Sequence, residues 1–350
     1  MFLRDCWYVV AWSHEVPSQG LLARTVVGDA LVLFRTQDGI VAALADRCCH
    51  RLAPLSRGRH EGDCLRCGYH GLLFDARGQC VEVPGMETVP PRLAVRSYPV
   101  VEHNRWVFVW MGDPARADRS LLPDNFSCDH PDWVYRPGYL HYEVPWQLIA
   151  DNLLDFSHLS YVHEATLGGS RAIAQARPRI EPIERGLRIE RAVHSVPAPP
   201  YYAALRTFDG AIDRWFNYDF LLPATLLMDS GGRVQGAAAG DPNHEVRLHS
   251  CQTLTPETES STHYFFQQAH PRWLGNEKTT EGLYQGLVRA FEEDRAMIGA
   301  QYAAIGRGGD LSMMSLPMDA ALLQFRRLVE RELAREAAWL SGNGASAGLG

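Results

Sequence analysis

Short apolar runs broken by turn residues fill the first third of the chain. Trp7-Tyr-Val-Val, Thr25-Val-Val, Ala30-Leu-Val-Leu-Phe and Ile40-Val-Ala-Ala-Leu are rich in β-branched and aromatic residues, with Gly20, Gly28-Asp29 and Asp38-Gly39 between them. The pattern resumes in Leu72-Leu-Phe, Cys80-Val-Glu-Val, Tyr98-Pro-Val-Val and Trp106-Val-Phe-Val-Trp. Many brief strands at close spacing predict a small sandwich or barrel. The polar, strand-poor segment Gly112-Asp-Pro-Ala-Arg-Ala-Asp-Arg then predicts a domain boundary, giving an all-β domain over 1–113. From 114 to 340 the pattern is mixed, so the chain as a whole reads as α+β. Arg179-Ile-Glu-Pro-Ile, Leu187-Arg-Ile-Glu-Arg-Ala-Val, Val246-Arg-Leu-His and Thr262-His-Tyr-Phe-Phe suggest strands, whereas 279–305 and 319–340 have helical spacing. The last ten residues, 341–350, have the composition of a flexible tail.

Helical spacing also runs through Trp146-Gln-Leu-Ile-Ala into a polar stripe. Asn152, Asp155 and His158 recur every third residue, and His163 follows five residues later, about 140° further round an ideal helix. Both imidazoles reach one ion only if the helix loosens near Ser160 or the ion lies beyond its end. Two imidazoles and one carboxylate on one face, with open positions opposite, are the ligand set of a mononuclear iron(II) oxygenase. Taken alone, the stretch reads more simply as a partly buried helix whose histidines make ordinary hydrogen bonds. Periodicity supplies a candidate third ligand. Leu283, Leu287, Phe291, Ile298 and Tyr302 describe one helix face, and Asp294 lies on it while Glu292 and Glu293 point elsewhere. A carboxylate facing the core needs an ion pair, here with Arg289 or Arg295, or a metal. Asp155 is the runner-up ligand.

Within the β-domain, Cys48-Cys-His50 and Cys67-Gly-Tyr-His70 each offer one thiolate and one imidazole. A Rieske [2Fe–2S] cluster takes this set, two cysteines on one iron and two histidines on the other. Cys64-x-x-Cys67 with Cys48 and Cys49 offers a four-cysteine zinc site instead. That alternative leaves His50 and His70 without a role, and Cys48 and Cys49 are adjacent rather than two apart. Cys6, Cys49, Cys64 and Cys80 then read as small apolar residues.

Length and charge narrow the class. A chain of 350 residues can bury a large core and fits two domains. A net charge of −7 with no basic block argues against a nucleic-acid partner. No apolar stretch is long enough to span a membrane, and the start does not read as a signal peptide. Eight cysteines without an export signal suggest thiols or metal ligands in the cytoplasm.

The two Cys/His loops, followed by Asn152-x-x-Asp155-x-x-His158-x-x-x-x-His163, resemble the Rieske non-heme iron oxygenases. The detail is most similar to the vanillate O-demethylase oxygenase component and dicamba monooxygenase subgroup. Trp7-Tyr-Val, His50-Arg-x-Ala-Pro-Leu-Ser, Gly68-Tyr-His-Gly, Trp110-x-Gly-Asp-Pro, Ala203-Ala-Leu-Arg, Asp213-Arg-Trp and Leu254-Thr-Pro-Glu-Thr-Glu carry the likeness, which runs from about residue 2 to 340. Cys49 stands where that family usually has proline.

The resemblance implies a catalytic domain of antiparallel sheet and helices in a helix-grip arrangement. It implies cluster ligands Cys48, His50, Cys67 and His70, and iron ligands His158, His163 and Asp294. Asp155 would bridge the two centres across the boundaries of a head-to-tail homotrimer, with Asn152 beside the iron. The implied activity is dioxygen-dependent O-demethylation of a methoxylated aromatic acid with release of formaldehyde. Hydroxylation of another methyl or ring carbon is the alternative, and a Rieske electron carrier the non-enzyme reading. No nicotinamide or flavin fingerprint occurs, which implies a separate NAD(P)H reductase carrying flavin and [2Fe–2S]. Pro199-Pro-Tyr-Tyr, Trp215-Phe-Asn-Tyr, Leu226-Leu-Met-Asp and Cys251-Gln-Thr could line an aromatic-sized cavity, although plain core is the simpler reading.

Overall fold

The computed structural model describes residues 1–168, 170–308 and 312–344. It divides into two compact units, Met1–Leu122 with Thr255–Glu259, and Pro123–Leu254 with Ser260–Gly350. The expected boundary at 113/114 therefore falls inside the first unit. Residues 114–122 are built from two short 3-10 turns, Pro114–Arg116 and Arg119–Leu121, capped by Asp113 and Asp118. They stay with the β-domain because the Trp7 indole donates to the Asp118 carbonyl at 2.7 Å.

Three small sheets make up the first unit. Trp7–Trp12, Trp106–Trp110 and Val100–His103 form one, with Trp7 opposite Trp110 and Trp12 opposite Trp106. Indole centroids in these pairs are 5.4 and 5.5 Å apart, so large rings close the sheet where a small domain has few other means. Leu22–Val26, Asp29–Arg35, Val41–Ala45 and Ser97–Tyr98 form the second sheet. The third is Arg59–Glu61, Cys64–Arg66, Leu73–Asp75 and Cys80–Glu82. Val32, Phe34, Leu44, Leu55, Leu65 and Phe74 form a core that also contains Cys48 and Cys67. The two candidate cluster thiols are thus part of the packing that orders their own loops.

These loops share one backbone design. The amide of Leu52 returns to the Cys48 carbonyl at 3.0 Å, and the amide of Gly71 to the Cys67 carbonyl at 3.1 Å. Each cysteine amide in turn donates five residues on, to Ala53 and to Leu72. The residue that closes each turn has a left-handed backbone, φ 61° at Leu52 and φ 77° at Gly71. Leucine is strained in that region, whereas glycine is not.

The second unit is built on a seven-stranded antiparallel sheet. Its order is Trp133–Tyr142, Ser261–Pro271, Glu245–Thr258, Thr225–Val234, Ile212–Leu221, Gly186–Val196 and Arg179–Ile183. Strand Ile212–Leu221 alternates strictly, with Ile212, Arg214, Phe216, Tyr218 and Phe220 buried. Strand Ser261–Pro271 is buried at every position, so no alternation marks it in the sequence. Among the described residues, four α-helices accompany the sheet: α1 (Trp146–Leu154), α2 (Arg171–Gln175), α3 (Glu277–Gly306) and α4 (Ala320–Gly344). Helix α3 begins at Asn276, whose side chain accepts the Thr279 amide at 3.2 Å. Its face Leu283, Leu287, Phe291 and Ile298 is buried, and Phe291 packs on Tyr264 and Phe266 at centroid distances of 5.1 and 4.9 Å. Helix α4 continues through 341–344, which corrects the start of the expected tail; 345–350 lie outside the described residues.

The loop pair yields a paired expectation. Gly71→Ala should destabilise the first unit by about 1–2 kcal/mol, because a Cβ there would be strained and would also crowd Pro84. Leu52→Gly should lie within about 0.5 kcal/mol of neutral, since relief of strain offsets the flexibility of glycine. Urea titration of the two variants checks both values, and equal losses would contradict the shared design.

Candidate metal centres

The first candidate centre combines two buried thiols with two outer imidazoles. Cys48 and Cys67 are buried and free, His70 is half-buried and His50 exposed, with the imidazole centroids 4.5 Å apart. Burial first, and then the adjacent Cys67 thiol, push the Cys48 thiol up to about 11. A thiol of this kind becomes a thiolate only if a cation neutralises it, as iron does. The His70 imidazole is held below its ordinary value by desolvation and by His50 and Arg51. A neutral ring can ligate a metal; a charged one cannot. Residues Cys48, Cys67, His50 and His70 therefore fit a cluster whose two irons take different donors. Cys49 and Cys64 are half-buried, and burial raises both thiols, which makes them poor nucleophiles.

The second centre depends on a helix that stops early. Instead of continuing as one polar stripe, α1 ends at Leu154. Asp155 turns to an extended backbone, and its carboxylate accepts the Ser157 amide at 2.9 Å and the Ser157 hydroxyl at 2.5 Å. That cap starts the 3-10 helix Phe156–Ser160, which carries His158, and the following turn carries His163. The break removes the angular conflict of the ideal helix. Among the described residues, His158, His163 and Asp294 form the one group of three or more metal-binding side chains converging on a point, with ligand atoms within 4.8 Å of one another. A four-thiol zinc site is not formed among them.

Hydrogen bonds choose the tautomers. His158 Nδ1 meets the Asp155 main-chain carbonyl at 2.5 Å, and His163 Nδ1 meets Glu293 Oε2 at 2.8 Å. Each ring donates from Nδ1, which leaves both Nε2 lone pairs facing Asp294, at 3.6 and 3.1 Å from Oδ1. Asn152 Nδ2 donates to the same Oδ1 at 3.0 Å. Burial lowers His158. It also pulls His163 down, but the bonds and charges of Asp294 and Glu293 outweigh it and leave that imidazole raised. Asp294 is 5% exposed and has no arginine partner among the described residues; Arg295 pairs with Glu292 instead, at 2.6 Å. A buried carboxylate facing two imidazoles with no cationic side chain is a fit for a divalent metal.

One expectation needs correction. Glu293 does not point elsewhere. Its position is one residue off the apolar face of α3, but its longer side chain curls back to His163 and to the Thr166 hydroxyl at 2.7 Å. The signal was present as a carboxylate flanking Asp294, and helical angle alone discarded it. His158 is held by the backbone carbonyl of Asp155, whose carboxylate lies 3.7 Å from the buried Arg191. Burial lowers the Arg191 guanidinium, although Asp155 acts against that.

A cavity opens beside these ligands, lined on its apolar side by Phe156, Leu167, Phe216, Met228 and Leu287. Each of the four segments proposed from sequence sends one residue to it: Tyr201, Phe216, Met228 and Gln252. Their neighbours Tyr202, Tyr218, Leu226 and Cys251 are buried core.

Residues 6–99 match the Rieske [2Fe-2S] domain, and residues 142–335 match the vanillate O-demethylase oxygenase C-terminal domain. The chain belongs to the Rieske non-heme iron oxygenases of the vanillate O-demethylase type. The toluene-4-sulfonate monooxygenase system iron-sulfur subunit of Comamonas testosteroni is 45% identical, covering 96% of this chain and 98% of its own. The dicamba O-demethylase oxygenase component of Stenotrophomonas maltophilia is 35% identical, covering 96% and 99%. Crystal structures of dicamba monooxygenase align with TM-scores of 0.88 with dicamba bound and 0.80 with non-heme iron and dicamba, at 30% and 31% identity. They cover 96% and 97% of this chain and 99% of theirs. As a Rieske oxygenase the chain is an oxidoreductase with a [2Fe–2S] cluster and a mononuclear iron, the oxygenase component of an aromatic monooxygenase system with a separate reductase. No helix among the described residues is long and apolar enough to cross a membrane.

Glu293 gives the test of this geometry. Glu293→Gln should weaken mononuclear iron about 10- to 100-fold, because an amide fixes the His163 tautomer less firmly than a carboxylate. Chelator competition measures the loss, and the cluster spectrum should not change. Wild-type iron retention would separate Glu293 from the metal.

Proposed function

We propose that this Rieske oxygenase hydroxylates a methyl carbon carried on a small aromatic acid. His158, His163 and Asp294 hold the iron in this reading, and Cys48, His50, Cys67 and His70 hold the cluster. The observation that carries it is the convergence of two Nε2 lone pairs and one buried carboxylate at the wall of an aromatic-lined cavity. When bound, the iron supplies dioxygen activation and the cluster supplies electrons one at a time. The protein's part is positional. Asp155 and Glu293 orient the two rings, Asn152 steadies Asp294, and Phe156, Phe216 and Met228 hold an arene and exclude water.

In the overall reaction one oxygen atom enters the methyl C–H bond. The other leaves as water, with two electrons from NAD(P)H through a flavin and [2Fe–2S] reductase. On an aryl ether the product is a hemiacetal, which collapses to a phenol and formaldehyde. That is the O-demethylation expected from the sequence. On a ring methyl the product is a benzylic alcohol. The relative named for toluene-4-sulfonate is 45% identical and the one named for dicamba 35%, which favours the ring methyl.

A screen of p-toluenesulfonate, p-toluate and methoxybenzoates with a surrogate reductase distinguishes the two. The expected result is benzylic alcohol matched to NADH consumed; stoichiometric formaldehyde would favour the ether. Neither product from any methylated arene would overturn the proposal.

The described cysteines are all free, in keeping with the cytoplasm, where NAD(P)H is available. The assembly is a head-to-tail homotrimer in which Asp155 links His70 of one subunit to His158 of the next. The placement of His70 and His50 at the protein surface supports this arrangement. Asp155→Asn should retain both metal centres and lose most turnover, since asparagine still caps Ser157 but carries no charge. Metal analysis with steady-state rates tests it, and full activity would remove the bridge.

A further inference from the structure

Arg214 occupies the apolar face of strand Ile212–Leu221 and is 1% exposed. It lines the same cavity as His158, His163 and Asp294. Its Nη1 donates to the Gly168 carbonyl at 2.9 Å and its Nη2 to the Leu167 carbonyl at 3.4 Å. The guanidinium carbon lies 5.0 Å from the Phe216 ring centroid and 5.3 Å from that of Tyr202. Nε has no hydrogen-bond partner, and no carboxylate among the described residues pairs with this arginine. The other buried arginine, Arg191, has Asp155 at 3.7 Å.

A full positive charge held inside a protein without a counter-ion is costly, and two main-chain carbonyls do not neutralise it. Arginine's planar fork suits an oxyanion with two or three oxygens, and aromatic rings beside it suit an arene attached to that oxyanion. Ser230, Ser250, Gln252 and Gln268 line the same space. Gln252 Oε1 accepts the Tyr264 hydroxyl at 2.6 Å, which leaves the amide NH2 to donate.

We propose that Arg214 anchors the anionic group of the substrate, a sulfonate or carboxylate borne on the arene whose methyl is oxidised. This assignment rests on the methyl-oxidation reading of the same cavity and adds the residue that selects charge. A purely structural Arg214 would instead serve only to tie Leu167 and Gly168 near His163.

Binding separates the two without turnover. Calorimetry on the iron-loaded protein, under anaerobic conditions, compares p-toluenesulfonate and p-toluate with their neutral amides, p-toluenesulfonamide and p-toluamide. The wild type should prefer at least one anion to its amide by about tenfold or more. Whether sulfonate or carboxylate shows the larger preference identifies the group. Arg214→Met should erase that preference by weakening the anion relative to the amide, with iron content held, and Arg214→Lys should restore part of it. An Arg214→Met protein that keeps the anion preference overturns the anchor. So does a wild type that binds amide and anion equally, a comparison that stands even if the variant fails to fold. Loss of preference in a protein that oxidises no methylated arene would keep the anchor and remove the oxidation reading. Oxidation with the preference unchanged in Arg214→Met would do the reverse.

Discussion

Asp294 sets the terms for the second unit. It is 5% exposed, its neighbours include two imidazoles and an amide, and no lysine or arginine among the described residues forms an ion pair with it. A carboxylate so placed is tolerable only when something positive shares the space. The surrounding hydrogen bonds specify what that is. Asp155 and Glu293 occupy the Nδ1 side of the two histidines, so two Nε2 lone pairs and the Asp294 carboxylate face one another. Donors alone face the middle, and a divalent cation completes them. Helix α3 can carry this charge at its core face because Phe291 and Leu287 pack around it and α3 is long enough to be anchored at both ends of that face.

The same site explains why α1 is short. A continuous helix would turn His163 well away from His158. Asp155 prevents this by spending its carboxylate on the Ser157 amide, which ends one helix and begins another of tighter pitch. Its main-chain carbonyl, freed from helical bonding, then receives His158. One residue therefore does three things at once: it stops a helix, caps the next and fixes a ring.

What the sequence revealed depended on how far a side chain's role follows from its own position. The α3 face was legible because its period places Leu283, Leu287, Phe291 and Asp294 together wherever the helix packs. The Cys/His loops were legible from their residue types. Strand Ser261–Pro271 was seen only in part because, buried on both faces, it lacks the alternation that marks a half-exposed strand. The helix break was expected near Ser160 and falls at Asp155 instead, because aspartate at that spacing fits a stripe as well as a cap. Glu293 was missed since a helical wheel records where Cβ points and not where a four-atom side chain ends. Arg214 did leave a trace. Strict alternation from Ile212 to Phe220 puts a guanidinium in the apolar register, an inconsistency of the kind that accompanies function.

That inconsistency bears on how one cavity can join two charges without letting them cancel. Asp294 and Arg214 both line it, yet they form no ion pair. Had they paired, the carboxylate would be lost to the metal and the guanidinium to any ligand. The scaffold keeps them apart by rooting one in α3 and the other in strand Ile212–Leu221, with the Leu167–Gly168 carbonyls holding the guanidinium back. Neither charge is used up by the other, so the carboxylate can serve a metal and, in the proposed reading, the guanidinium an anion. In the proposed reading, an arene with an acidic group at one end and a methyl at the other would meet the arginine within the cavity that the histidines also line. Specificity of this kind comes less from the shape of Phe156, Phe216 and Met228, which fit many rings, than from the cost of leaving a buried charge unmet when a neutral ring enters.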